Sequence, residues 1–349
     1  FFHGQAFVPT QIKIYDVLLV GYLRGGTTFL GEVLGYKNDS FYIYEPLHKL
    51  MTWGYMDNDL VCSMKDQTCR FIVIVIVRDA TEALNIHTLD QKGVHSLNSV
   101  NMTGEKILDI VRGIYSCGSQ KYQQLLRPWQ YDKSIGPAQS DMAMCNHKKT
   151  NCMKTYLKQC SNASSKVSKI PRISIGLASK LLLEFRNLKI IHLLRDPRAV
   201  MNSRYKLGWT PVPGGAVSLC TKMKKDYQQS VKLRRLFPGR IHTVFYEDMA
   251  QNFEETVKEI YSFLGYQLNA KEQIRLNRMT SSSKNGNAGS TQRRNSTLTA
   301  RAWRYSINTK VLIENNKACS DLYQLLGYPQ LGSKTEARNT SVPLRITVK

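Results

Sequence analysis

No apolar run in this chain reaches the roughly 18–20 residues that a membrane-crossing helix needs. The longest, Phe71 to Val77, is only strand-length. Nothing has the charged, apolar and small-residue order of a secretory signal. The chain opens on Phe1-Phe2-His3 without a methionine, which reads as a fragment or a processed chain. Acidic residues are scarce: 26 Asp+Glu stand against 49 Lys+Arg, a formal net charge of +23. That excess implies an anionic partner. There is no recognition motif of a DNA or RNA module and no Lys/Arg run that would make a basic arm. A phosphorylated cofactor or a polyanionic glycan satisfies the charge as well, and so does a plain basic, solvated surface.

No pair among the eight cysteines (Cys62, Cys69, Cys117, Cys145, Cys152, Cys160, Cys220 and Cys319) has C-x-x-C spacing. Zinc ribbons and thioredoxin-like redox chemistry are therefore poor readings. Disulfides in an oxidising lumen are the preferred reading, buried free thiols the alternative, and the pairing is not fixed by sequence. There is no internal repeat and no long linker. The 349 residues read as a single catalytic domain over 1–332 with an insertion at about 51–168, followed by a disordered tail over 333–349.

What the chain does have is the stretch Val17 to Pro46. Val17-Leu18-Leu19-Val20 reads as a buried parallel strand. Gly21-Tyr22-Leu23-Arg24-Gly25-Gly26-Thr27-Thr28 follows, and then a helix over Phe29 to Leu34. A strand, a glycine-rich turn and a helix N-terminus make an anion site, because first-turn N–H groups lack helical partners and the dipole favours negative charge. Thr27 and Thr28 add hydroxyls, and Arg24 adds a forked cation suited to phosphate. Gly21 and Gly26 match the glycines of a nucleotide P-loop, but Thr27 stands where that motif has lysine. No acidic residue closes a later strand to hold magnesium. The loop reads as a phosphate site that needs no metal.

Further along, Phe41 to Tyr44 reads as a short strand. Phe71 to Val77 has strand propensity, and Glu105 to Tyr115 has helical apolar spacing. Asp141 to Lys169 reads as an exposed loop region stapled by cysteines. A helix follows over 174–185. Leu188 to Leu194 is a second buried parallel strand, ending in Arg195-Asp196-Pro197-Arg198. Asp196 can cap a helix that begins at Pro197, which makes a second anion site. A strand over 239–247, helices near 253–264 and 310–326, and a flexible polar loop over 280–299 complete the reading. The fold class is α/β, a P-loop-like central parallel sheet flanked by helices. Asn-x-Ser/Thr sites begin at Asn38, Asn101, Asn162, Asn295 and Asn339; they fit a secretory location, though a chain rich in Asn, Ser and Thr carries several by chance.

Arg24-Gly25-Gly26-Thr27-Thr28-Phe29-Leu30-Gly31-Glu32 with Phe41-Tyr42-Ile43-Tyr44-Glu45-Pro46-Leu47 resembles the 5′-phosphosulfate loop and following strand of carbohydrate sulfotransferases. The closest group sulfates the 6-hydroxyl of galactose, N-acetylgalactosamine or N-acetylglucosamine. That group has a hydroxyl residue where this chain has Gly25. Leu193 to Arg204 resembles the family's 3′-phosphate motif, and Asn295 with Ala302-Trp303-Arg304 resembles its lid. The likeness spans Ile14 to Leu50 and about Lys169 to Pro329.

The resemblance implies sulfuryl transfer from 3′-phosphoadenosine 5′-phosphosulfate to a glycan such as chondroitin or keratan. It implies Golgi-lumen residence through an anchor missing from this chain, and no nucleic-acid partner. By the same resemblance Arg24, Gly25, Gly26, Thr27, Thr28 and Phe29 bind the 5′ end, Arg195 and Ser203 the 3′-phosphate, and Arg294, with Arg293 as the fallback, closes the lid. Glu45 is the expected general base and His48 the runner-up, its unperturbed pKa lying nearer neutrality. A structural ion pair is the alternative for Glu45. A P-loop kinase and a non-catalytic polyanion-binding protein are the rival functions; the first lacks its phosphate lysine, the second leaves two phosphate motifs unexplained.

Overall fold

A computed structural model describes residues 15–347 except 38, 49, 51–53, 65–68, 71, 76–98, 119–151, 210–214 and 281–294. The strands are β1 (Asp16–Val20), β2 (Ser40–Tyr44), β3 (Gly54–Asp57), β4 (Leu60–Ser63), β5 (Cys69–Arg70), β6 (Ile72–Val75), β7 (Ser99–Met102), β8 (Ser165–Lys169), β9 (Leu188–Leu194) and β10 (Ile241–Phe245). The helices are α1 (Thr27–Leu34), α2 (Gly104–Tyr115), α3 (Cys152–Asn162), α4 (Ile175–Ser179), α5 (Leu181–Glu184), α6 (Pro197–Lys206), α7 (Gly215–Leu236), α8 (Tyr246–Gln251), α9 (Phe253–Phe263), α10 (Ala270–Thr280), α11 (Ser296–Ser306), α12 (Thr309–Leu326) and α13 (Lys334–Arg338).

Five strands form the central sheet in the order β10-β9-β1-β8-β2, all parallel. Both faces are covered. Leu18 and Val20 of β1 enter one core with Ile107 and Leu108 of α2 and Leu177 of α4. Val17 and Leu19 enter the other with Leu30 and Val33 of α1 and Val257 and Ile260 of α9. This alternation is the two-residue period of a strand buried on both sides. From β1 the chain passes to β2 on one side; from β9 it passes to β10 on the other. The crevice at the C-terminal ends of β1 and β9 is therefore the point where the winding reverses, the place where open α/β sheets bind ligands.

A third core joins α6, α7 and α12 through Val200, Leu219, Met223, Leu312 and Tyr323. The Cys220–Cys319 disulfide ties α7 to α12, Cys117–Cys160 ties the end of α2 to α3, and Cys62–Cys69 links β4 to β5. Among the described residues no helix is long and apolar enough to cross a membrane.

Three expectations differ from what is observed. The region read as a loop over 141–169 ends in α3 and in β8, which pairs between β1 and β2; the stretch 51–168 therefore contains part of the central sheet. The loop read over 280–299 gives way to α11 at Ser296, whose N-cap Asn295 accepts from the Leu298 N–H at 2.8 Å. The tail is ordered through residue 347. Leu344 is buried in the core beside α8 and α9. Arg345 pairs with Asp248 at 2.6 Å and lies 3.5 Å over the Phe245 ring. The Ile346 N–H donates to Gly327 O at 2.7 Å, and Arg304 donates to the carbonyls of Val342 and Pro343. A polar segment with two anchoring side chains reads as disorder by composition, yet it straps α8, α11 and α12 together.

Leu344→Ala is expected to lower unfolding stability by about 2–4 kcal/mol, measured as an earlier urea midpoint with unchanged slope. A loose tail would leave the midpoint where it was.

Candidate active site

At the end of β1 the chain makes a tight turn in which the Gly25 N–H donates to Tyr22 O at 2.8 Å. Arg24 takes φ 69° and Gly26, the N-cap of α1, takes φ 92°. A Cβ on Gly25 would lie 2.9 Å from Tyr22 O, and one on Gly26 would lie 2.5 Å from the Tyr246 ring. Backbone proximity thus excludes a hydroxyl side chain at Gly25, and at Gly26 the left-handed backbone and the aromatic neighbour both require glycine. The first-turn N–H groups of Thr27, Thr28 and Phe29 have no intrahelical partner. Phe29 stacks at 5.7 Å on Phe253.

The second turn lies beside the first, because β1 and β9 are paired with Val20 opposite His192. Asp196 caps α6 by accepting from the Arg198 N–H at 2.9 Å, and its carboxylate pairs with the buried Arg198 guanidinium at 2.8 Å. Arg198 thereby takes the structural role, and Arg195 turns to the cleft. Arg195 donates through Nη1 to Arg24 O at 3.1 Å and sits 4.1 Å over the Tyr246 ring. Its buried Nε has no hydrogen-bond partner among the described residues. Arg24 Nε donates to Ser203 Oγ at 3.0 Å, so the two anion sites are bridged. Arg204, buried behind them, donates twice to Leu23 O; burial, and then the neighbouring Arg24 cation, push its pKa down to about 10.

Arg24, Gly26, Thr27, Thr28, Phe29 and Arg195 border an open cleft of about 900 Å³, lined also by Tyr44, Glu45, Lys169, Trp209, Met249 and Ala250; Gly25 and Ser203 do not line it. Phe29, Tyr246, Met249 and Ala250 make an apolar wall. Ser296 and Thr297 pin α11 to that wall by donating to Ala250 O at 2.8 and 3.0 Å. The residues fit a ligand with two anionic groups and a flat ring between apolar surfaces. Arg24, Arg195 and the first-turn residues Thr27, Thr28 and Phe29 line the same space.

Glu45 sits at the end of β2 with φ 41°, a left-handed conformation rare for a non-glycine residue. Its carboxylate is buried between two cations. Oε1 accepts from Lys169 Nζ at 2.5 Å and Oε2 from Arg172 Nη1. Burial alone would raise the Glu45 pKa, but Lys169 and then Arg172 overcome it and hold the carboxyl at about 2. The same Lys169 Nζ donates to Thr28 Oγ1 at 2.9 Å and lies 3.9 Å over the Tyr44 ring. The ion-pair alternative for Glu45 and its place in the cleft are therefore both realised. His48 lies one turn further on, its N–H donating to Glu45 O at 3.0 Å, and it does not line the cleft. Arg294 falls outside the described residues.

Sequence reasoning overlooked Lys169, Arg172, Trp209 and Tyr246. The signal for Lys169 was its register: it pairs with Tyr44 across β2 and β8, one residue from Glu45. That register is invisible until SKVSK is recognised as a strand.

A family profile described as a sulfotransferase domain matches residues 15–312. The chain is 24% identical over 366 residues to carbohydrate sulfotransferase 1 of Mus musculus, covering 98% of this chain and 86% of that one. It is 23% identical over 375 residues to carbohydrate sulfotransferase 6 of Homo sapiens, covering 94% and 84%. Among solved structures, a sulfotransferase domain from the Synechococcus PCC 7002 olefin synthase superposes with a TM-score of 0.47 at 16% identity, covering 90% of this chain and 95% of that one.

Removing the Glu45 charge should be felt in stability. A carboxyl held at about 2 against an ordinary 4.5 contributes stability that is complete above pH 4.5 and is lost as pH falls towards 2. Glu45→Gln leaves Lys169 and Arg172 facing a neutral amide and should cost about 3 kcal/mol at pH 7. It should also flatten the acid limb of a stability–pH curve, measured by chemical denaturation.

Proposed function

The chain belongs to the sulfotransferase-domain family, and from that premise we propose that it moves a sulfuryl group from 3′-phosphoadenosine 5′-phosphosulfate to a sugar hydroxyl of a glycan. The 6-hydroxyl of a chain such as chondroitin or keratan is the preferred acceptor, and the Golgi lumen the preferred location. The observation that carries the reading is the pair of bridged anion sites, one at each of two neighbouring strand ends, with Arg24 touching both. A single phosphate would need one of them. A nucleotide phosphorylated at its 3′ and 5′ positions uses both.

The nucleotide supplies an activated sulfuryl group joined to a 5′-phosphate leaving group. Arg24, the N–H groups of Gly26 to Thr28 and the hydroxyls of Thr27 and Thr28 hold that phosphate and stabilise the charge it gains. Arg195 and Ser203 hold the 3′-phosphate. Phe29, Met249 and Ala250 offer an apolar wall for the adenine. The acceptor oxygen forms its bond to sulfur as the bond from sulfur to the phosphate oxygen breaks, the electron pair staying with the phosphate. Glu45 takes the hydroxyl proton. His48, outside the cleft, is assigned to shaping the turn that carries Glu45. Arg294 is assigned to the lid.

Arg195→Ala and Arg24→Ala are each expected to weaken binding of 3′-phosphoadenosine 5′-phosphate by about 10–100-fold, the loss of a charge-assisted contact worth roughly 1.5–3 kcal/mol. Titration calorimetry measures it, and near-normal affinity in Arg195→Ala removes the 3′-phosphate assignment. Transfer of labelled sulfate to a glycan panel should proceed in EDTA, because protein cations supply the positive potential. Absence of transfer to every glycan tested would remove the carbohydrate reading.

A further inference from the structure

We propose that Lys169 is a latch operated by the donor: it holds the Glu45 carboxylate in the free protein and gives its Nζ to the anion that fills the phosphate loop, so that Glu45 becomes a base only in the donor complex. This rests on the sulfuryl-transfer reading above. It starts from a difficulty in that reading. A general base works best when its pKa lies near the working pH, and Glu45, though it lines the cleft, has both oxygens clamped by cations.

The two clamps are not equivalent. Arg172 holds Oε2 from behind and does not line the cleft, whereas Lys169 lines it and reaches both Glu45 Oε1 and Thr28 Oγ1. Thr28 is in the first turn of α1, where the helix N-terminus awaits an anion. Lys169 Nζ carries three protons on a freely rotating ammonium. In the free protein those protons meet a carboxylate, a neutral hydroxyl and the face of Tyr44. The donor's 5′-phosphosulfate brings two negative charges, one on its phosphate and one on its sulfate, neither shared with Arg172, and is the better partner at Thr28; the product nucleotide's doubly charged 5′-phosphate is better still.

Among the described residues Lys169 and Arg172 hold the Glu45 carboxylate, while Arg24 and Arg195 line the same cleft. Tyr42 lies on the same strand with its phenol pushed far up, by burial first and then by Tyr44, Glu32 and Glu45. Glu32 is buried on α1. Neither is a cation. Transfer of Lys169 thus leaves Arg172 on Oε2 and frees Oε1 on the cleft side. Oε1 is then the atom that accepts the proton as the acceptor oxygen bonds to sulfur. A single opposite charge removed from contact raises a carboxyl pKa by about one to three pH units. The consequence is an obligatory order: with no donor bound, an acceptor hydroxyl meets a carboxylate that does not take its proton.

The test is a carbon-13 NMR titration of the full chain labelled at the glutamate carboxyl carbons, from about pH 7 to about pH 3, with and without 3′-phosphoadenosine 5′-phosphate. The Glu45 signal is assigned by its absence from Glu45→Gln. The free protein should keep Glu45 ionised across the range, and saturating nucleotide should bring its midpoint up by about one to three pH units into it. Lys169→Met should show the raised midpoint already in the free protein and no further response to nucleotide; Lys169→Arg should restore the low midpoint. Nucleotide that binds, by calorimetry on the same sample, without moving the Glu45 midpoint overturns the latch and leaves the functional reading standing. Nucleotide that does not bind overturns both. Should Lys169→Met fail to fold, the paired wild-type titrations still decide.

Discussion

The parallel pairing of β1 with β9 is the constraint on which the site depends. Five aligned residue pairs, from Asp16 opposite Leu188 to Val20 opposite His192, bring the ends of both strands to the same level. Each strand then turns into a helix at the crevice, α1 with first-turn N–H groups that lack helical partners and α6 capped by Asp196. The register sets the separation between the two turns. A shift of one residue would put the core-facing side chains of β1 on the wrong faces. The separation is therefore guarded by the hydrophobic core on both sides of the sheet.

Around this frame the chain buries charge, which is costly unless every group is paired. The pairing is arranged in shells. Asp196 and Arg198 satisfy one another, with Arg198 lying 4.3 Å over the Tyr323 ring, and this leaves Arg195 to the cleft. Glu247 accepts from the Asp196 N–H at 3.0 Å and from the Tyr328 hydroxyl at 2.9 Å; burial, then the nearby Asp196 charge, push its pKa up to about 7. Beneath the first loop, Tyr22 meets His192 at 3.0 Å and Asp226 at 3.2 Å, and His192 meets Ser230 at 2.9 Å. Burial pushes His192 down to about 4, so it stays neutral and holds Tyr22 by hydrogen bonding alone. The turns that carry Arg24 and Arg195 thus rest on polar residues that do not line the cleft.

Much of the frame was legible from residues. β1 is apolar after Asp16, and β9 is apolar but for Lys189 and His192, because both their faces are covered, and the glycines of the first loop stand where backbone approach requires them. β8 was not legible, since its residues Ser165, Lys166, Val167, Ser168 and Lys169 look solvated. Their polarity is internal: Ser165 Oγ donates to Tyr15 O at 2.8 Å, Ser168 Oγ bonds the buried Tyr115 hydroxyl, and Lys169 is spent on Glu45. Helix α7 was hidden for the same reason, because Lys222, Asp226 and Ser230 face inward. Glu45 itself could be found by its place after the strand. Its environment could not, as both cations that surround it lie more than a hundred positions away along the chain.

The strap formed by residues 340–347 has a consequence for biosynthesis. Asp248, Phe245 and Gly327, which Arg345 and Ile346 hold in place, flank the wall that carries Tyr246. Tyr328, one residue beyond Gly327, bonds the Glu247 that fixes the turn of Arg195. Chains grow from the N-terminus, so both phosphate loops leave the ribosome long before the segment that steadies their shared wall. A chain cut before residue 340 would lack the contacts that Arg345 and Ile346 make with Asp248, Phe245 and Gly327, although both turns beside that wall would already be present.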